Sequence, residues 1–155
     1  MSLGDQLEDF IREKMKTFPI ERVGDVFIDG VETDTNRGVD VTGSPFPPYE
    51  NSTIRKKNGQ SLVNLRDRSR SIETLDNAET MSDSTSASTT LRFSGNAGYG
   101  GSSKPAGNVF HYHQKGTAKG GKIRRIFPET GDESSDNVQS KLNKVEIILE
   151  DYFNE

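Results

Sequence analysis

The chain has no cysteine and no long apolar run. The absence of cysteine excludes a disulfide framework, a thiolate nucleophile and a cysteine-ligated zinc or iron–sulfur site. No apolar stretch approaches the ~20 residues that a transmembrane helix needs. The first residues, Met1 to Asp5, lack the basic and apolar regions of a signal peptide. We therefore expect a protein that is intracellular when it is made and that has no membrane partner.

Apolar residues in general are scarce. They make up 30 % of the 155 residues. Leu, Ile, Val and Phe together account for 34 residues, about 22 %, close to the roughly 20 % below which a chain is expected to be disordered. The net charge of -4 is too small to open the chain by self-repulsion. The composition predicts a single domain over 1–155 with a thin core, which gains stability by burial against other subunits.

Both ends of the chain are predicted to be helical. Apolar residues recur at helical spacing over 3–18, and Pro19 ends that run, so we expect a helix with one face on the core. A second helix is predicted over 133–153, with Asp132, Glu133 and Asp136 near its start, where the helix dipole favours acids. Its apolar face is formed by Val138, Leu142, Val145, Ile148, Leu149, Tyr152 and Phe153.

The middle of the chain is predicted to contain short strands and turns. Asp29-Gly30 lies between short apolar runs within 26–31, which indicates a β-hairpin. Alternating residues from Ala87 to Phe93 predict a strand at 86–94, paired with one near 72–81. A short helix is expected over 49–57, capped by Asn51 or Ser52. Residues 123–127 are expected to be extended as far as Pro128.

Three polar segments are predicted to be loops. Residues 33–48 form an extended arm or loop, because three prolines after Ser44 keep the chain out of the helical region. Residues 97–107 and 116–122 are Gly-rich loops. We expect all three segments to reach neighbouring subunits or adjoining proteins, since long ordered loops are usually functional.

Charge is unevenly distributed along the chain. Residues 104–125 hold six bases and no acid, whereas residues 129–155 hold eight acids and two bases. One interpretation is head-to-tail docking, in which the acidic surface of one copy meets the basic surface of the next. The alternative is an ordinary solvated surface with a local bias.

The sequence offers little support for catalysis. Residues 116–123 nearly match the phosphate-binding P-loop, but Ile123 stands where a hydroxyl should bind Mg²⁺. His111 and His113 would share one face of a strand and leave Tyr112 pointing with Phe110 toward the core, and a packed pair is a simpler interpretation than a metal site. A small hydrolase is therefore the third-ranked function. A nucleic-acid-binding module that uses the basic 104–125 segment ranks second.

Four segments together resemble one protein family. They are Gly43-Ser44-Pro45-Phe46-Pro47-Pro48-Tyr49 with the following Ser52-Thr53-Ile54 and Lys56-Lys57-Asn58-Gly59; Leu62-Val63-Asn64-Leu65-Arg66-Asp67 with Ser71-Ile72; Phe110-His111-Tyr112-His113-Gln114-Lys115-Gly116-Thr117; and Ile123-Arg124-Arg125-Ile126-Phe127-Pro128. In this order, over about 40–153, they resemble the virion-morphogenesis proteins of tailed bacteriophages. These proteins, also called tail-completion or neck proteins, lie at the head–tail junction.

The resemblance implies an α+β fold, with a small antiparallel sheet flanked by N-terminal and C-terminal helices and with long loops or arms. It also implies a structural virion protein that forms a homo-oligomeric ring between portal-side proteins and the tail, with a hexamer favoured by tail symmetry. Its partners would be other neck, portal-adaptor and tail proteins, with possible contact to DNA in the channel. Its location would be the virion, and the host cytoplasm during assembly.

No catalytic residue, cofactor or metal is expected of such a protein. The residues expected to contact subunits or partners are Phe46, Tyr49, Lys115, Lys119, Lys122, Arg124 and Arg125.

Overall fold

The computed structural model describes residues 2–65, 71–95, 104–116 and 121–155. Within these ranges the fold is α+β, as expected: terminal helices flank a two-stranded antiparallel sheet. The helices are α1 (Leu3–Lys16), α2 (Ile20–Arg37), α3 (Asn51–Lys56), α4 (Ala106–Lys115) and α5 (Asp136–Asn154), and the strands are β1 (Leu75–Ser82) and β2 (Ala87–Phe93). Short 3₁₀ turns lie at Ser71–Thr74 and Asp132–Ser134.

The two predicted terminal helices are confirmed. Helix α1 begins with a capping box: the Asp5 amide donates to the Ser2 hydroxyl (3.2 Å), and the Ser2 amide donates to the Asp5 carboxylate (2.7 Å). This bond to the Ser2 amide lowers the pKa of Asp5. Helix α5 begins at Asp136, later than predicted, because residues 132–134 form a 3₁₀ turn and Ser135 caps the helix.

The expected burial of the α1 face is wrong. None of the residues 3–16, all of which the structure describes, is buried. Leu3 is 83 % exposed, Leu7 57 %, Phe10 47 % and Ile11 43 %. The hydrogen bonds that tie α1 to α5 lie at the end of α1, where the Tyr152 hydroxyl donates to the Lys14 carbonyl (2.8 Å). The helix is therefore anchored at one end and bare along its apolar face.

The predicted hairpin at 26–31 is also wrong, because this segment lies inside α2. Asp29-Gly30 is a turn signal only locally, whereas the surrounding apolar residues follow the helical period. Both glycines of α2 are closely covered: a Cβ on Gly24 would collide with Asn77, and a Cβ on Gly30 would collide with Lys141. Tertiary packing thus explains glycine at positions where the helix alone would prefer alanine.

The segment 33–48 is divided between two structures, so its description as one arm or loop is corrected. Residues 33–37 are the last turn of α2, which ends at Gly38 with φ of 73°. Residues 38–48 form an irregular loop on the body of the protein, where the Phe46 amide donates to the Gly38 carbonyl (2.9 Å). Val41 and Phe46 in this loop are buried. The loop therefore belongs to the core rather than extending away from it.

The strand prediction at 86–94 with a partner near 72–81 is confirmed. Strands β1 and β2 pair antiparallel from Leu75 opposite Phe93 to Ser82 opposite Ala87, with an irregularity at Asn77–Glu79. The Ser/Thr-rich stretch is the turn and second strand of this hairpin. The Asp83 carboxylate accepts hydrogen bonds from the backbone amides of Thr85 (2.7 Å) and Ser86 (2.8 Å), which lower its pKa.

One small core lies beneath the sheet. It gathers residues from α2, the 38–48 loop, the 62–65 segment, the first 3₁₀ turn, β1, α4 and the irregular 123–127 segment: Val31, Phe46, Val63, Leu65, Ile72, Leu75, Ala106, Phe110 and Ile126. Of the predicted Gly-rich loops, 97–103 and 117–120 lie outside the described residues, and Ala106 and Gly107 already belong to α4. Few apolar residues thus connect many separate segments.

Candidate functional site

The segments that carry the family resemblance meet in one place, which we call the junction. Phe46, Leu65, Phe110 and Ile126 come from the four segments in turn, and all four are buried in the same core cluster. Phe110 also stacks on Phe93 of β2, with ring centroids 4.3 Å apart. Segments that are far apart in sequence therefore share one packing centre.

Gln114 holds the last of these segments in place through its side-chain amide. Its Oε1 atom accepts hydrogen bonds from the backbone amides of Ile126 (2.9 Å) and Phe127 (3.1 Å). Its Nε2 atom donates to the Phe127 carbonyl (2.9 Å) and to Glu129 (3.1 Å). Residues 123–127, predicted to be a strand or extended segment, are irregular with a bend at Phe127. The Gln114 side chain satisfies backbone groups of Ile126 and Phe127 that no neighbouring strand pairs.

The proline-rich segment is held to the same centre by cations. The Arg124 guanidinium donates to the Pro47 carbonyl from Nε (3.3 Å) and Nη2 (3.2 Å), and its Cζ atom lies 5.5 Å from the centre of the Tyr49 ring. The Lys57 ammonium lies 5.2 Å from the same ring centre. Tyr49 is therefore contacted by two cations, an arrangement that cation–π attraction stabilises.

Three of the six bases in the 104–125 stretch are paired with acids of the same chain. Lys115 pairs with Glu129 (2.6 Å), and the hydrogen bonds from Lys115 and Gln114 lower the pKa of Glu129. Lys122 pairs with Glu50 (2.8 Å) and lowers its pKa through a hydrogen bond.

The guanidinium of Arg125 contacts both carboxylate oxygens of Asp132, at 3.0 and 3.1 Å. Three of the bases predicted to contact partners thus have partners within the chain. The sequence missed these pairs because their acids lie outside the basic stretch.

The predicted contact residues differ in their availability at the surface. Phe46 is 6 % exposed and supports the junction from beneath, so it does not line a surface. Tyr49 and Arg124 are half-buried against each other. Lys119 lies outside the described residues. Arg55 and Lys56 on α3, which were not among the predicted contacts, are exposed.

The histidine pair does not share a face. The prediction assumed a strand, but residues 106–115 form α4, where positions two apart point in different directions. Phe110 is buried and Tyr112 is 49 % exposed, so the expectation that both point to the core is wrong. Burial, together with the charge of Arg124, lowers the pKa of His113 to about 4. No group of three potential metal ligands occurs among the residues that the structure describes.

A buried ion pair between α2 and α5 was not predicted. The Lys141 ammonium donates to the Asp34 carboxylate (2.8 Å), and both side chains are almost completely buried. Asn137 donates to the same Asp34 oxygen (2.9 Å) and shares its amide with the Val41 carbonyl (2.9 Å). This cluster joins both helices to the 38–48 loop. Nothing local in the sequence marks it, since its acid and base are over a hundred residues apart.

Comparison of this chain with protein-family models, with curated proteins and with solved structures gives no match. Within the described ranges, no helix is long and apolar enough to cross a membrane.

Proposed function

We propose that this protein is a structural component of a tailed-bacteriophage virion, at the neck or tail end, where it assembles as a ring. One observation carries the proposal: the four segments that resemble the neck family meet in the junction. A shared packing centre is what the segments of one fold require, and it agrees with the order in which the resemblance runs along the chain. The thin core supports the same function, because such a subunit gains stability from its neighbours.

The proposed role is one of assembly, without catalysis or a cofactor. The ring would contact portal-side proteins on one side and tail proteins on the other. Head-to-tail contacts would use the exposed acids at the end of α5, Glu146, Glu150 and Asp151, against the exposed Arg55 and Lys56 on α3 of the next copy. Such a heterologous contact closes into a ring when its rotation permits.

The competing function is binding of nucleic acid by the basic 104–125 segment. The ion pairs at Lys115, Lys122 and Arg125 argue against it, because cations that are already paired within the chain contribute less to phosphate binding. The virion role is therefore the better supported of the two.

Negative-stain microscopy and light scattering of the purified protein, alone and mixed with neck and tail proteins of the same virion, test the proposal. We expect closed rings, of about six copies if they match the tail symmetry that the resemblance implies. Single copies in both samples, together with DNA binding that weakens steeply with salt, would contradict the virion role and favour the nucleic-acid module.

A further inference from the structure

Helix α1 presents an apolar ridge to solvent. Leu3, Leu7 and Ile11 follow one another at intervals of four residues, so they lie in line along one face, with the half-buried Met15 next in the row. The exposed Phe10 lies beside this ridge. A continuous apolar face of this kind marks an interaction site more often than scattered single apolar residues do.

The helix that carries the ridge is well ordered by its own contacts. Its polar side has two ion pairs, Glu8 with Arg12 (2.5 Å) and Glu13 with Lys16 (2.5 Å). At its end, the Lys14 ammonium donates to the Tyr152 carbonyl (3.3 Å) and lies 5.1 Å from the Tyr152 ring centre. The ridge is therefore preorganised, and a partner does not have to order it on binding.

Charge along α1 indicates what the ridge fits. The first half of the helix carries Asp5, Glu8 and Asp9 and no base. The second half carries the three bases Arg12, Lys14 and Lys16 and one acid, Glu13. A parallel pair of such helices would place like charges together, whereas an antiparallel pair places acidic halves against basic halves and also opposes the helix dipoles.

We propose that the α1 ridge binds the α1 ridge of a second copy of this chain, with the two helices antiparallel. Matching the two rows of residues places Leu7 opposite Ile11 of the second copy and Leu3 opposite Met15 of the second copy. The contact is two-fold, since each residue pair occurs twice.

The proposal goes beyond the ring of the proposed function. A two-fold contact closes on itself and does not propagate around a ring, so this pairing joins two copies before assembly or joins two rings face to face. A helix of 14 residues is about 21 Å long. A contact of that length lies at the small end of specific interfaces, so the pairing is weak and reversible.

A lipid surface fits the ridge less well than a second copy does. Helices that lie on anionic membranes carry an excess of Lys and Arg on their polar side. On α1 the four acids outnumber the three bases, and Asp9 lies on the side opposite the ridge.

The first test is sedimentation equilibrium over a wide concentration range. Wild type is expected to associate to dimers. The double variant Leu7→Gln/Phe10→Gln should weaken that association by at least about tenfold, because it removes apolar area from the centre of the contact. The matched control Asp9→Glu/Lys16→Arg changes two residues on the opposite side of α1, keeps the charge of each half and should leave dimerisation unchanged.

The second test uses the absence of native cysteine, which makes any introduced thiol unique. Chains with Leu7→Cys and chains with Ile11→Cys, distinguished by tags of different size, are mixed and oxidised. Antiparallel pairing predicts the mixed disulfide as the main product, because a disulfide forms only where the two Cα atoms come within about 7 Å. Parallel pairing would instead give like-with-like disulfides.

Several results would overturn the proposal. They are a wild type that stays monomeric throughout the range, dimers that survive Leu7→Gln/Phe10→Gln, dimers that are lost in the control variant, and a predominance of like-with-like disulfides. Binding to anionic phospholipid vesicles that depends on Leu7 and Phe10, without any dimer, would overturn it in favour of a lipid surface. Rings that persist when the dimer is lost support a contact separate from the ring.

Discussion

Helices α1 and α2 follow each other in the chain and share an apolar periodicity, yet they are covered very differently. Helix α2 is packed against the sheet, α5 and the loop that follows it, and it buries Gly24, Val31, Asp34 and Thr35. Helix α1 buries none of its residues, all of which are described, and is fastened at its C-terminal end. The comparison shows that periodicity identifies the apolar face of a helix but not what covers it.

The largest effect is expected where α2 is fastened to α5. Lys141→Ala leaves the Asp34 carboxylate buried without its cation, which should lower the free energy of unfolding by about 3–5 kcal/mol. Urea denaturation followed by circular dichroism measures the change. The double variant Asp34→Leu/Lys141→Met removes both charges and should cost much less. If Lys141→Ala lowered the free energy of unfolding only slightly, α2 would not be held to the rest of the protein more firmly than α1.

Acid should weaken the body of the protein through His113. Its folded-state pKa of about 4 lies below the usual histidine value of 6.5. Between these values the unfolded chain binds a proton that the folded chain does not, so stability rises with pH across this interval. As the pH falls from about 6.5 to about 4, up to about 3 kcal/mol of stability should be lost.

Urea denaturation at several pH values measures this loss, and His113→Gln should remove it. Since the chain has two histidines, a His111→Gln variant assigns their NMR signals, and the His113 signal should titrate near pH 4. A His113 signal that titrates near 6.5 would contradict the burial of this ring.

Glycine substitutions should have opposite signs in the two helices. Gly30→Ala in α2 drives a methyl group into the Lys141 side chain, which its ion pair holds in place, and should destabilise by about 1–3 kcal/mol. Gly4→Ala in α1 meets only ordinary contact with Ser2 at 3.5 Å and should stabilise by up to about 1 kcal/mol. Thermal unfolding of the two variants measures the contrast. If both substitutions changed the stability in the same direction, the contrast between a covered α2 and an uncovered α1 would be contradicted.

The smallest effect is expected on the bare face of α1. Leu7 is 57 % exposed in the folded chain. At concentrations where the protein is monomeric, Leu7→Gln should therefore change the free energy of unfolding by no more than about 0.5 kcal/mol. Denaturation of the dilute variant against dilute wild type tests this. A loss comparable to that of Lys141→Ala would show that the ridge is covered within the monomer.

Local sequence patterns predict the helices and strands whose period and ends are set by their own residues. The two terminal helices and the β1–β2 hairpin were identified because each has a clear period and a clear stop such as Pro19. The segment 26–31 was assigned to a hairpin because Asp29-Gly30 is a strong turn signal by itself. Its helical outcome follows the period of the surrounding apolar residues, and the close approach of Lys141 explains why glycine stands at position 30.

The candidate site could be predicted only in outline. The four family-like segments were recognised in order, and they converge at the junction. The contacts that determine which side chains remain available are long-range: Lys122 pairs with Glu50, and Lys115 with Glu129. Charge counted along a sequence therefore overstates the basic surface, because neutralising acids arrive from other segments.

The amide side chain of Gln114 shows how so polar a chain holds an irregular segment in place. Together its two atoms engage the amides of Ile126 and Phe127 and the Phe127 carbonyl. A third strand in that place would need several more residues, half of them apolar, to satisfy the same backbone groups. The Gln114 side chain takes the place of a pairing strand for these backbone groups. Because one side chain replaces several residues of strand, a protein with few apolar residues can hold this segment in place without a larger sheet.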